Sequence, residues 1–221
     1  MCSLDGTVCE SDKIGAEMYR KVWKRVLDIL LSGLAILLLW PLFLILAVWI
    51  RLDSEGPVLF RQTRIGIHKT TFEILKFRTM KKDAPNDVPT HLFSDSHHWI
   101  TRAGRIIRRS SLDELPQLLQ IFVGKMSIVG PRPALWNQYD LIEERDKYGA
   151  NDILPGLTGL AQVNGRDVLY VEDKARFDGE YTAHMSFGMD LKILWKTVVA
   201  VVTRKGFKEG EHANEHRKEN E

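Results

Sequence analysis

Residues 26–50 read VLDILLSGLAILLLWPLFLILAVWI, and from Ile29 to Ile50 no side chain is charged. At about 1.5 Å per residue, roughly 22 such positions reach across a bilayer core. A run this long and apolar on every side reads as a membrane element rather than a core helix. Its flanks decide how it sits. Lys21, Lys24 and Arg25 precede it; Arg51, Arg61 and Arg64 follow. Cationic flanks belong on the cytoplasmic side, and a straight crossing would satisfy only one of these two. Pro41 sits near the middle, where it removes a helix hydrogen bond and bends the axis. The sequence therefore favours a re-entrant helix over residues 19–52, broken at Trp40-Pro41, with both ends on one face. A single span with a proline kink is the alternative.

Outward from this element the chain is mixed. Residues 1–18 form a polar tail with no signal-peptide pattern. Cys2 and Cys9, the two cysteines, lie there without metal-ligand spacing, which favours a reducing compartment. Residues 53–205 are expected to form one catalytic domain and 206–221 a charged tail. Val58–Gln62 and Thr71–Phe77 read as strands of a hairpin around Gly66. Residues 81–98 read as a loop; His91, His97 and His98 lack the companions a metal site needs. Trp99–Arg109 reads as a basic amphipathic helix at the lipid headgroups. Leu135–Tyr148, Asp167–Ser186 and Asp190–Arg204 read as further helices, the last on the bilayer surface or in the core. The fold class is α+β and mainly helical. The formal net charge of +2 implies no nucleic-acid partner.

Chemistry concentrates between Ser110 and Pro133, SSLDELPQLLQIFVGKMSIVGPRP. Asp113 and Glu114 are adjacent carboxylates. Ser111-Leu112-Asp113-Glu114 fits a capping box, with acids in a first helical turn. Pro116 strains that reading, because it falls where the helix would use a backbone donor. A helix start would also attract phosphate, and Arg102, Arg105, Arg108 and Arg109 lie just upstream. Downstream, LPGLTGLAQVNGR (Leu154 to Arg166) is glycine-rich, so its backbone can approach a ligand closely. It holds neither dinucleotide-binding nor P-loop spacing. Arg166 is a candidate phosphate fork.

KRVLD (Lys24 to Asp28), KFRTM (Lys76 to Met80), SLDELPQ (Ser111 to Gln117), VGPRP (Val129 to Pro133) and PGLTGLAQVNGR (Pro155 to Arg166) occur in that order. Together they resemble the bacterial sugar transferase family, the monotopic polyprenyl-phosphate phosphoglycosyl transferases, from about Tyr19 to Arg204. The chain is similar to the small members that consist of the catalytic domain alone. Two places depart from the family pattern. Trp40-Pro41 stands where Ser-Pro is common, and Leu154 where an arginine often precedes PGxTG.

The resemblance implies transfer of sugar-1-phosphate from a UDP-sugar to undecaprenyl phosphate with release of UMP, at the cytoplasmic face of a bacterial inner membrane. It implies Asp113 as nucleophile, Glu114 as the Mg²⁺ ligand, and Arg108, Arg132 and Arg166 at the substrate phosphates. Lys76, Asp178 and Asp190 are implied there less directly. Membrane lipids are partners, and a homodimer stays open. Two other readings remain: a non-catalytic membrane-anchored regulator of polysaccharide assembly, and a Mg²⁺-dependent nucleotide-sugar diphosphatase.

Overall fold

The computed structural model describes residues 15, 17–84, 96–165 and 169–203. Cys2, Cys9, His91, Arg166, His212 and His216 fall outside them, as do the side chain of His97 and the tail after Thr203. Within the described residues, a π-helical turn (Tyr19–Trp23) leads into α1 (Lys24–Asp53), and β1 (Leu59–Ile65) and β2 (Thr71–Phe77) form the expected antiparallel hairpin. There follow α2 (Arg102–Arg109), α3 (Gln117–Val123), β3 (Ser127–Val129), α4 (Tyr139–Asp146), β4 (Gly156–Thr158), α5 (Leu160–Asn164), α6 (Val171–Ala183) and α7 (Phe187–Thr203). The described residues are mainly helical with two small sheets. Helices expected at Leu135–Tyr148 and Asp167–Ser186 are shorter, and the last begins three residues earlier than expected.

Tyr19–Asp53 is long and apolar enough to cross a membrane. The expected break at Trp40-Pro41 is not an unwound turn, since α1 runs through with Pro41 inside. A proline withholds only its own donor, whereas an opened turn in apolar surroundings would strand several backbone groups.

One face of α1 packs against the domain along its whole length. Lys24 bonds Asp190 at 2.6 Å, and Arg25 donates to the carbonyls of Ile121 and Phe122 at 2.6 and 2.8 Å. Asp28 accepts from Ser127 Oγ at 2.7 Å and from the Ile128 amide at 3.0 Å. Ala35, Ile36 and Leu39 pack on Leu118, Ile121 and Met126. Leu46 and Ile50 join Phe77, Ala103 and Ile107. At the far end Arg78 donates to the Ser54 and Glu55 carbonyls, and Asp53 accepts from the Ala103 amide. Arg78, the second cation of KFRTM, thus caps the C-terminus of the apolar helix, where a cation suits the dipole. The opposite face of α1 is bare hydrocarbon, with Leu37 68% and Leu38 67% exposed.

The second sheet was not foreseen. β3 and β4 pair in parallel, Ser127 beside Gly156 and Val129 beside Thr158. This ladder brings the VGPRP and PGLTG motifs together. The approach requires glycine: a Cβ on Gly156 would sit 2.1 Å from the Gly130 nitrogen, and one on Gly159 2.2 Å from the Gly130 carbonyl oxygen. Backbone cannot yield as a side chain can. Gly156→Ala is therefore expected to destabilise the protein by about 2 kcal/mol or more, read as a lowered Tm in detergent. An unchanged Tm would mean the two motifs do not touch.

Candidate active site

Four segments deliver the site. β2 carries Lys76. The C-terminal turn of α2 carries Arg108. A 3-10 turn (Leu112–Glu114) carries both carboxylates, and the loop after β3 carries Arg132. α2 is fixed at its start by Thr101, whose hydroxyl accepts from the Gly104 amide at 2.9 Å. At its end the chain reverses through Ser111, which is left-handed at φ 55°.

That conformation overturns the capping-box reading. Ser111 makes no side-chain cap, and the helix begins only at Gln117, after Pro116. Pro116 at that junction costs no helical donor. The carboxylates stand on a separate turn and face the cations.

Glu114 is the centre of the cluster. Its Oε1 accepts from Lys76 Nζ at 2.7 Å and from Arg132 Nη2 at 2.9 Å. Burial alone would push this carboxyl up. The charges of Arg132 and Lys76, with their hydrogen bonds, outweigh it and hold Glu114 well below the usual carboxylate range. Asp113 goes the other way. Burial and the neighbouring Glu114 charge push it up to about 6, against the opposing pull of Lys76, Arg108 and Arg132. Two adjacent acids are thus split in affinity for a proton, a pattern that separates roles at catalytic sites. Among the described residues, Lys76, Arg108 and Arg132 are the cations that act on this carboxylate pair.

The scaffold includes a residue that sequence reading passed over. Gln120 Oε1 accepts from the Leu75 amide at 2.9 Å, and its Nε2 donates to the Glu73 carbonyl at 2.6 Å. Its amide extends the edge of β2 and fixes α3 beside Lys76. Nothing local marks it, since the partner strand lies 45 residues upstream.

Asp178 and Asp190, expected at the phosphates, are taken up elsewhere. Asp178 is 1% exposed and pairs with Arg145 at 2.6 Å. Asp190 accepts from Tyr19, Lys24 and Tyr181, which ties the entrance of α1 to α6 and α7. Both are buried acids that needed partners, and neighbouring cations and hydroxyls supplied them. Arg166 lies outside the described residues.

Among the described residues no three His, Cys, Asp or Glu side chains cluster as a protein-only metal cage. Mg²⁺ does not need one. It binds through one or two carboxylates and takes further oxygens from substrate phosphates and water. Asp113 and Glu114 fit that donor set, and both hydrogen bonds to Glu114 fall on Oε1.

The family described as bacterial sugar transferase matches residues 19–204. The chain is 42% identical over 189 residues to the UDP-glucose:undecaprenyl-phosphate glucose-1-phosphate transferase of Caulobacter vibrioides, covering 81% of this chain and 70% of that one. It is 40% identical over 199 residues to the exopolysaccharide production protein PSS of Rhizobium leguminosarum bv. phaseoli, covering 84% and 98%. A third relative, the UDP-glucose:undecaprenyl-phosphate glucose-1-phosphate transferase of Escherichia coli, is 39% identical over 186 residues, which span 80% of this chain but 40% of its own length. With the family model matched from residue 19 to 204 and relatives near 40% identical over most of its length, this chain belongs to the bacterial sugar transferase family.

Proposed function

We propose that the protein transfers sugar-1-phosphate from a UDP-sugar to undecaprenyl phosphate, releasing UMP, through a covalent intermediate on Asp113. The carrying observation is the split pair: one carboxylate locked between Lys76 and Arg132, the other adjacent and without that lock. Names of the relatives supply the substrate class, with UDP-glucose as the first donor to try.

The first displacement forms a bond from an Asp113 carboxylate oxygen to the sugar-linked phosphorus. The phosphoanhydride bond breaks and its electron pair leaves with UMP. In the second, an oxygen of the lipid phosphate attacks the same phosphorus. The acyl-phosphate bond breaks, Asp113 regains its charge, and the product is a lipid diphosphate sugar. Such transfer needs positioning and neutralisation of charge, which Lys76, Arg108 and Arg132 provide. Mg²⁺, when bound through Glu114, would add Lewis-acid polarisation of the diphosphate.

Only ionised Asp113 can attack. With its carboxyl pushed up to about 6, kcat/KM for the donor is expected to rise through about pH 6 and level off above 7. A profile flat from pH 5 to 8 would mean that the Asp113 carboxyl is not raised in the working enzyme.

Re-entry of α1 at the cytoplasmic face is part of the same proposal. Both of its ends are bonded to one folded body, Lys24 and Asp28 at the start and Asp53 at the finish. This supports a helix that dips into one leaflet. Cysteines placed singly at Lys21 and Glu55 are expected to react alike with an impermeant thiol reagent in inside-out vesicles. Opposite labelling would mean a crossing helix.

The activity is tested by UMP release. Without lipid acceptor, the account gives one equivalent of UMP per enzyme and then a stop; with acceptor, release continues. Steady release without acceptor would indicate a diphosphatase, and no release under either condition a non-catalytic protein.

A further inference from the structure

The turn that presents Arg132 contains Pro131 and Pro133, neither of which has a backbone donor. It is held instead by its carbonyls, and four in succession are taken. The Gly156 amide donates to Pro131 at 2.8 Å, Arg145 Nη2 to Arg132 at 3.0 Å, Arg64 Nη1 to Pro133 at 3.0 Å, and the Ile65 amide to Ala134 at 2.9 Å. These anchors come from β4, α4 and β1. Of the two guanidinium anchors, Arg145 is the more deeply buried. Its side chain is 6% exposed, and its Nε and Nη2 both reach Asp178 Oδ2, at 2.9 and 2.6 Å.

A buried guanidinium is costly unless paired, and replacing such a pair by apolar side chains often leaves stability unharmed. Retaining it here therefore asks for another reason. The guanidinium supplies one: a single Nη2 touches both Asp178 and the Arg132 carbonyl. From that pinned backbone the Arg132 side chain reaches Glu114.

We propose that Arg145, held in place by Asp178, is a positioning residue for Arg132 in the phosphoryl transfer. This rests on the transferase reading above. Arg145 touches no reacting atom. It fixes the backbone from which Arg132 neutralises the diphosphate and orients Glu114, and Asp178 matters to the reaction only through it.

The test uses the full-length protein in nanodiscs. The double variant Arg145→Met, Asp178→Leu replaces the whole pair by apolar side chains. It is expected to lower kcat about 30-fold, because a displacement near 1 Å can cost up to ~10²-fold. KM for the UDP-sugar should stay within about threefold, since the lost interaction acts on the transition state. In an Arg132→Ala background the same double change should cost less than about twofold, because coupled residues are not additive. An equal loss in both backgrounds would mean a purely structural role and would overturn the proposal, as would a wild-type kcat in the double variant. Arg145→Lys keeps the charge but not the fork and should recover only part of the rate; full recovery would show that charge alone suffices. A second readout needs no substrate. Hydrogen exchange in residues 126–138 should quicken in the double variant while α1 and α3 stay protected, and unchanged exchange would overturn the proposal. A wild type that makes no product removes the transferase reading, and the exchange result then decides the positioning claim by itself.

Discussion

Asp113→Asn is expected to abolish sugar-phosphate transfer while leaving the protein at least as stable as wild type. Loss of a catalytic nucleophile costs at least about 10⁴-fold in rate. The stability half follows from proton linkage. The folded state holds the Asp113 carboxyl at about 6, above its ordinary value of 3.8. A carboxyl raised in this way favours the fold at low pH, and that contribution is lost as pH rises from about 4 through 6. At neutral pH the ionised side chain is therefore a burden on the native state. Asparagine has the same shape without the charge, and removes the burden. Activity is read by lipid-linked product and stability by Tm in the same detergent. An inactive variant with a markedly lower Tm would mean that Asp113 is structural.

Glu114→Gln should behave in the opposite sense. This carboxylate accepts from Lys76 and Arg132, and its folded-state pKa is depressed. Its contribution is present above the ordinary carboxylate value and lost as pH falls through the depressed one. Glutamine removes the charge that Lys76 and Arg132 meet on Glu114. Breaking a fully buried pair costs about 3–5 kcal/mol. Arg132 is 42% exposed, so screening reduces this to about 2 kcal/mol. Activity is expected to fall by about 10²–10⁴-fold, the scale of losing one strong electrostatic element at a transition state, and Mg²⁺ should no longer stimulate what remains. The two variants together are diagnostic. Adjacent acids with opposite effects on Tm and a shared loss of activity have divided roles. A Glu114→Gln variant with wild-type Tm would mean that the ion pairs contribute nothing in solution.

Much of this was legible from sequence, in particular places. The uncharged run to Ile50 announced its helix by length alone, and the hairpin by alternation around Gly66. Asp113 and Glu114 were visible as an adjacent pair, but Ser111 misled. Its spacing to Glu114 copies a cap, and only the left-handed backbone at Ser111 shows that the turn stands apart from the helix. The parallel β3–β4 pair could not be read, because three-residue strands are too short to show a period and their partner lies beyond an intervening helix. The resemblance implied Asp178 and Asp190 at the phosphates, less directly than the arginines. In the structure they bond Arg145, Lys24 and Tyr19, all at least 33 residues away, and Tyr181, nine residues away, and nothing in the spacing announces these pairs. Arg145 was missed for the same reason: its importance lies in a carbonyl it touches, and carbonyls leave no trace in a sequence.

The most direct measurement is the intact mass of the enzyme stopped after mixing with a UDP-sugar and Mg²⁺ in the absence of undecaprenyl phosphate. The account predicts a single added sugar-phosphate group, mapped by fragmentation to Asp113, absent from Asp113→Asn and discharged when the lipid acceptor is supplied. An unmodified protein that nonetheless turns over when the acceptor is added would contradict it, and would make the transfer a direct displacement.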